Sequence, residues 1–521
     1  MARVVVGFVV ALSLWASPAR AASCVDLATL ALPATTITSA QIVETGAFVP
    51  PAVPRPANAD PNAEPPIPQN FSSLPAFCRV MATLTPTRDS DIKIEVWLPV
   101  SGWNGKFQGV GNGGWAGAIG YAALGAAVRA GYAGASTDTG HVGNTAAFAV
   151  GHPEKLIDMG YRAVHEMTVR GKSIASAFYG RAPTSSMFNG CSLGGRQAIT
   201  EANRYPADYD AIIAGAPAIY NMSTHTARIA LNAAAQRASD SRIPRDKYAM
   251  VHDAVLQACD ALDGVKDGVL EDPLRCAFDP KVLQCAGADG PSCLTAAQVE
   301  TMRIMYAPLK TPTGDVYSPP LLQPGTELGW NTLTGPQPVA TAYEAFKYVV
   351  FQDPAWTMAK FNAATDIPRA LKADEGLLSL TDPNLKPYFS RGGKLLVYHG
   401  WQDPQVPAQT SVHFFNEVVK TMGASVVNQS IQLYMVPGMN HCGGGPGPNV
   451  FDKVAAMEGW LKGGSAPNQI VASHVSNGAV DRTRPLCPYG QVAKWKGIGS
   501  TDEAANFACV VNEPARGSAG R

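Results

Sequence analysis

The chain has 521 residues, 41 Lys+Arg against 41 Asp+Glu, and 46% hydrophobic against 16% charged residues. Zero net charge excludes the broad basic surface that a nucleic-acid partner needs, and the apolar content excludes global disorder. Fifty glycines and 41 prolines make an all-helical bundle a poor expectation, and ten cysteines point to an oxidising compartment.

Residues 1–21 read as a secretory signal, with Arg3, an apolar run from Val4 to Trp15, and Ala19-Arg20-Ala21 as the cleavage pattern. The run is shorter than the ~20 residues of a membrane span, and no later stretch is long and apolar enough to supply one. Eight prolines between 50 and 68 mark an extended surface segment. Residues 79–84 and 92–98 alternate as two strands of a hairpin, and 106–110 is a third strand ending in glycines. Residues 121–130 and 163–178 have helical spacing, then a strand enters a glycine turn near 190 and 194–203 continues as a helix. Short buried strands follow at 211–214, 395–398 and 431–436. Strands alternating with helices predict an α/β fold with a mainly parallel sheet. Between about 219 and 388 the pattern changes to helices (247–261, 295–305, 340–351) among Gly-, Pro- and Cys-rich loops, which predicts one inserted domain.

Gly190-Cys191-Ser192-Leu193-Gly194 fits G-x-S-x-G between a predicted strand and a helix, the setting of a nucleophile elbow. A serine nucleophile needs a base and the base an orienting carboxylate, in the chain order Ser, acid, His for this arrangement. Asp403 follows the strand 395–398, and His441 follows the strand 431–436. His399 reads better as a structural histidine at a strand end, and Asp138, which precedes the serine, as a loop-fixing carboxylate. Cys191 adjoins Ser192 and Cys442 adjoins His441, so a disulfide between them would hold nucleophile and base together. The oxyanion donors are expected to be the backbone amides of Leu193 and of Gly114 in Gly109–Trp115, with Gly113 as the alternative to Gly114. That loop also reads G-x-G-x-x-G, but a nucleotide-dependent oxidoreductase does not fit an exported chain with a hydrolase constellation.

Gly-Cys-Ser-Leu-Gly-Gly-Arg-Gln (190–197), the strand ending at Asp403 and Pro-Gly-Met-Asn-His-Cys (437–442) resemble the tannase and feruloyl esterase family. This family also holds the hydrolase of mono(2-hydroxyethyl) terephthalate. The resemblance runs over essentially the whole mature chain and implies an α/β-hydrolase core (22–218 and 389–521) with a large inserted lid domain (219–388). It implies the disulfides Cys24–Cys78, Cys191–Cys442, Cys259–Cys276, Cys285–Cys293 and Cys487–Cys509. It also implies a structural calcium ion in the lid, held by the carboxylates of Asp260, Asp263 and Asp267 and the main-chain oxygens of Val265 and Val269. By spacing alone, these residues read equally well as solvated Asp-Gly turns or as hard oxygen ligands.

The resulting expectation is a secreted or periplasmic serine carboxylesterase, with no organic cofactor and no nucleic-acid or membrane partner. Its substrates would be esters of hydroxycinnamic or gallic acids. A tannase and a terephthalate monoester hydrolase are the alternatives within the family. An aromatic-ligand-binding protein without catalysis is the alternative outside it, and a serine-reactive probe would separate the two. The physical ground for an aromatic acyl group is the ring content of the inserted segment: Trp330, Tyr343, Phe346, Tyr348, Phe351, Trp356 and Phe361. An arginine for a free carboxylate is absent between Glu344 and Pro368, with Arg369 directly after.

Overall fold

The computed structural model describes residues 21–51, 69–374 and 376–512. The signal-peptide reading therefore lies outside the described residues except for Ala21, as does most of the proline-rich segment. The main sheet has nine strands: β1 (Thr35–Val43), β2 (Phe77–Leu84), β3 (Ile92–Pro99), β4 (Lys106–Val110), β5 (Ala133–Thr137), β6 (Ser185–Cys191), β7 (Ala211–Gly215), β8 (Lys394–Gly400) and β9 (Ile431–Val436). Their spatial order is β1-β2-β3-β5-β4-β6-β7-β8-β9. The pairs β1/β2, β2/β3 and β3/β5 are antiparallel; every later pair is parallel.

The parallel strands are buried on both faces, and their side chains divide with period two. Ile212, Ala214, Leu395 and Val397 join one core cluster, together with helices α2 (Ala163–Tyr179), α3 (Leu193–Arg204) and α8 (Ala408–Met422). Ala211, Ile213, Leu396 and Tyr398 point the other way, onto Trp460 and Met457 of α9 (Lys453–Gly463). Helix α1 (Tyr121–Arg129) covers the outer part of the sheet through Leu124 and Val128.

Register sets where the loops emerge. Cys191 is paired with Gly215, Gly215 with Tyr398, and Gly400 with Val436, so β6 to β9 end along one edge. The loops carrying Ser192, Asp403 and His441 leave the sheet along that edge. Ligand sites in open parallel sheets form at these carboxyl ends.

Between β7 and β8 the chain is mainly helical: α4 (Asn221–Ala235), α5 (Tyr248–Cys259), α6 (Ala296–Met305) and α7 (Ala363–Ala370), with one two-stranded ladder, Leu309–Lys310 against Val316–Ser318. Thr295 and Gln298 form a capping box that starts α6. This segment builds two apolar clusters. One is internal and centres on Trp330, Tyr248 and Met302; the other packs Phe346 and Trp356 against Trp115, Leu193 and Met222 at the mouth of the sheet. Its last part, with Leu380, Leu385 and Tyr388, belongs to the core of the sheet itself.

All ten cysteines are paired, as Cys24–Cys78, Cys191–Cys442, Cys259–Cys276, Cys285–Cys293 and Cys487–Cys509, with Cα separations from 5.0 to 6.0 Å. Two antiparallel hairpins close the chain: Ile470–Ser476 with Ala479–Leu486, and Gln491–Trp495 with Phe507–Val511.

Candidate active site

Ser192 stands between β6 and α3 with φ 65° and ψ −121°, a conformation L side chains rarely adopt. Three backbone hydrogen bonds anchor it: its N–H donates to the Gly215 carbonyl at 2.9 Å, and its own carbonyl accepts from Arg196 N–H at 3.1 Å and Ala218 N–H at 3.2 Å. The turn is possible because its neighbours are small. A Cβ on Gly190 would stand 2.4 Å from the Gly194 carbonyl oxygen, and one on Gly111 would stand 2.5 Å from the Gly194 Cα. The Cys191–Cys442 bond joins this turn to the loop of His441, and Cys442 also has a positive φ, 65°.

Asp403 and His441 meet directly, with Nδ1 of the imidazole 2.6 Å from Oδ2 of the carboxylate. Asp403 is buried, and its Oδ1 accepts from the N–H groups of Gln405 at 2.7 Å and Val406 at 2.9 Å. Burial alone would raise this carboxyl. The charge of His441 and hydrogen bonds from His399 and His441 outweigh it and hold the group well below the usual carboxylate range. His399 is fully buried, as a structural histidine would be, but it also touches the acid. Its Nδ1 is 2.7 Å from Ser411 Oγ, and its Nε2 lies 3.1 Å from Asp403 Oδ2 and 3.2 Å from the Val406 carbonyl. Facing two acceptors, Nε2 carries the proton, so Oδ2 accepts from both histidines. The four-residue spacing from His399 to Asp403 is the sequence signal for this contact. Asp138 is remote from the pair and fixes a loop: its Oδ1 accepts from Lys93 N–H and Gly140 N–H, both at 2.9 Å.

Gly114 and Leu193 line the same cavity as Ser192, which is partly open to solvent. Leu193 is the first residue of α3, so its N–H has no partner within the helix. The Gly114 loop is tied to α3 through Asn112. Asn112 N–H donates to Gln197 Oε1 and Gln197 Nε2 donates to Asn112 Oδ1, each at 3.0 Å, while Gly194 N–H donates to the Asn112 carbonyl at 2.8 Å. Gln197 lies in the quoted motif, but only the fold reveals that it meets Asn112.

The other walls come from Trp115 and from one face of α4: Asn221, Thr224, His225 and Arg228. Trp115 and His225 stack with centroids 5.7 Å apart and planes 17° apart. Arg228 is buried; it donates to the Gln405 carbonyl through Nε at 3.1 Å and to Thr341 Oγ1 through Nη1 at 3.2 Å. Burial pulls its guanidinium down to about 10, against the attraction of Asp403.

The seven rings named in the inserted segment are placed differently from the expectation. None of them lines this cavity. Trp330 packs against Tyr248 and Tyr306, while Phe346, Phe351, Trp356 and Phe361 pack on one another. Large rings of one segment bury most area against each other, which is why they form its core. Arg369 lies over the Phe351 ring and donates to the Val350 carbonyl, so the arginine bordering the cavity is Arg228 instead.

In the aspartate loop, Oδ1 of Asp260 has no hydrogen-bond partner. Asp263 is pushed up to about 6, by burial first and then by Asp267 and Asp260. Asp267 is paired with Arg482 at 3.1 Å and with Arg484. Backbone N–H groups of Val265, Gly268 and Val269 turn toward Asp263, Asp260 and Asp267 respectively. An orphaned buried oxygen among mutually repelling carboxylates fits a hard cation. The three carboxylates do not gather as tightly as His165, Glu201 and Asp208, the group among the described residues that brings three side-chain donors within 4.8 Å of one another.

A family model described as tannase and feruloyl esterase matches residues 78–510. An uncharacterized esterase of Xanthomonas campestris pv. campestris is 37% identical over 550 residues, covering 96% of this chain and 93% of its own. A probable feruloyl esterase B-2 of Aspergillus terreus is 32% identical over 461 residues, covering 83% and 86%. The crystal structure of feruloyl esterase B from Aspergillus oryzae superposes with a TM-score of 0.85 at 28% identity, covering 94% of this chain and 99% of that one. Tannin acyl hydrolase from Aspergillus niger follows at 0.77 and 22%, covering 94% of each chain, a likeness of fold. With the strand order, the turn at Ser192 and these relatives in agreement, the chain belongs to the tannase and feruloyl esterase family and is a carboxylic ester hydrolase on an α/β-hydrolase fold.

Proposed function

We propose that the protein is an exported serine esterase that cleaves esters of aromatic, hydroxylated acids, such as feruloyl, caffeoyl or galloyl esters. Ser192 Oγ attacks the ester carbonyl while His441 Nε2 takes its proton. Asp403 keeps the imidazole in the tautomer with the proton on Nδ1 and stabilises its cation. The N–H groups of Leu193 and Gly114 receive the oxyanion. His441 then protonates the departing alkoxide, and the acyl-enzyme is hydrolysed by a water that gives its proton to the same imidazole. The observation that carries this reading is the 2.6 Å contact between His441 and Asp403, joined by a disulfide to a serine held at φ 65°.

The aromatic acyl group is supported by the names of the relatives and by the Trp115–His225 stack on the cavity wall. Offset ring contacts of this kind add ~0.5–1.5 kcal/mol beyond area burial. A half-ester of an aromatic diacid, as in mono(2-hydroxyethyl) terephthalate, is the second reading, favoured by the guanidinium of Arg228 at the cavity. The kcat/KM values for methyl ferulate, methyl gallate, that half-ester and a long-chain p-nitrophenyl ester on one preparation decide the matter. A long-chain ester preferred by about tenfold, the worth of one or two methylenes of fit, overturns the aromatic reading.

A lid domain over 219–388 and a calcium ion within it belong to the same proposal. Asp260, Asp263 and Asp267, with the carbonyls of Val265 and Val269, would hold the ion. It would neutralise their mutual repulsion and play no part in ester cleavage. Export is supported by the five disulfides; no helix among the described residues is long and apolar enough to cross a membrane.

A further inference from the structure

Glu201 lies on α3, nine residues beyond Ser192 and therefore ~13 Å along the helix from it. It is 1% exposed, and neither carboxylate oxygen has a hydrogen-bond partner. A buried carboxylate left this way is strongly unfavourable, because nothing replaces the water it lost. Two further donors converge on it. His165 reaches in from α2 and Asp208 from the turn between α3 and β7, so that one atom of each residue lies within 4.8 Å of the others. His165 Nδ1 and Asp208 Oδ2 are 2.7 Å apart. The Tyr205 ring stacks on the imidazole at 3.8 Å and 9°, fixing its plane. The Lys172 ammonium donates to the Asp208 main-chain carbonyl, not to either carboxylate. The His165 side chain is 27% exposed, which leaves an entry path from solvent.

We propose that His165, Glu201 and Asp208 bind a divalent transition-metal cation of the zinc class, a structural staple joining α2, α3 and the turn into β7. One imidazole and two carboxylates suit such an ion; calcium takes 6–8 oxygens, which separates this site from the aspartate loop. In a tetrahedral site with bonds of ~2.0–2.1 Å the ligand atoms stand ~3.3 Å apart. The His165–Asp208 pair opens slightly to reach that spacing and Glu201 closes in, with solvent on the His165 side supplying the remaining ligand. The ion gives Glu201 the partner it lacks, and it stiffens the helix whose first N–H faces the cavity of Ser192. The competing occupant is a proton shared between Glu201 and Asp208.

The test uses the full chain, stripped with a chelator, returned to excess calcium so that the aspartate loop is satisfied, and titrated with zinc chloride. Bound zinc per chain and the melting temperature are read together. One tightly held zinc and a rise of several degrees are expected, since binding to the folded state alone stabilises it. Glu201→Gln keeps the shape but not the charge; it and His165→Asn, on a partly exposed residue, should each lose the zinc response by about tenfold or more in affinity. Ester hydrolysis by both variants should match the parent. A parent chain that retains no zinc overturns the proposal. So do Glu201→Gln and His165→Asn proteins that bind zinc as the parent does, which would leave a proton as the occupant.

Discussion

Ser192 and Asp403 hold unfavourable states for the same reason. The serine sits at φ 65° and the aspartate is a buried anion, and each is held there by hydrogen bonds from its surroundings. For Asp403 these come from two backbone amides and two imidazoles. Replacing it with Asn removes the charge and invites the wrong imidazole tautomer, so kcat should fall by about 10⁴ with the fold retained. Steady-state kinetics beside a circular dichroism spectrum would check this, and an Asp403→Asn enzyme within tenfold of the parent would reassign the acid. Asp138 makes the opposite case. Burial pushes its carboxyl up to about 7, despite the amides of Gly140 and Lys93, with Asp91 adding to the rise and Lys93 opposing it. Its folded value lies above its unfolded one of ~3.9, so it weakens folding progressively as pH climbs from about 4 to about 7 and adds nothing further beyond. Asp138→Asn should therefore gain stability over the parent across that interval, by at most a few kcal/mol, and hold the gain above it. Denaturant midpoints at several pH values would show this slope; a constant difference at all pH values would remove Asp138 as its source.

Among the elements, the turns after β6, β8 and β9 matter most, because their register places three distant segments along one edge. The Cys191–Cys442 bond ties the first to the third, and the Gln402 N–H to Met439 carbonyl bond, 3.0 Å, ties the second to the third. A Cys191→Ala/Cys442→Ala protein should lose about 10²-fold in kcat/KM, the usual result of a small misplacement of reacting groups. Its stability should fall by ~2–4 kcal/mol. Full activity in a well-folded double variant would leave the bond no positioning role. These turns were legible in the sequence because they combine glycine, strand pattern and chemistry in a few residues. Other elements were not. β5 reads Ala-Gly-Ala-Ser-Thr, wholly buried but without a large apolar side chain to announce it. β1 is an edge strand of intermediate and exposed residues, and in the C-terminal hairpins burial is confined to the Ile470/Leu486 end of the first and to Ala493 and Phe507 of the second, so neither shows a continuous buried face. The cavity walls were hidden for another reason. Trp115 lies far in sequence from His225 and Arg228 of α4 and meets them only through the fold, whereas the seven clustered rings of the inserted segment advertise themselves and pack into its two apolar clusters.

For the whole molecule, a nine-stranded sheet supplies the edge, and the segment between β7 and β8 packs on it through the apolar cluster of Phe346, Trp356, Trp115 and Leu193 and through a few polar ties. Trp115 Nε1 donates to the Thr341 carbonyl at 2.9 Å, and Glu344 accepts from Thr145 Oγ1 and Ala146 N–H at 2.5 and 2.7 Å. The aspartate loop reaches the C-terminal hairpin through Asp267 with Arg482 and Arg484. If calcium occupies that loop, a calcium-specific chelator should lower the melting temperature by several degrees and excess calcium restore it. An Asp260→Ala/Asp263→Ala protein should show neither effect. Melting that is indifferent to the chelator in the parent would return the loop to a set of Asp-Gly turns.

The most direct measurement is covalent labelling of the purified chain with a fluorophosphonate, followed by peptide mapping. Stoichiometric phosphonylation at Ser192, in step with loss of ester hydrolysis and absent from an inactive Ser192→Ala protein, is the expected result; removal of such a nucleophile commonly costs ~10⁶-fold. A folded Ser192→Ala protein that still turns over ester, or a label that falls on another residue as activity disappears, would contradict the assignment of Ser192.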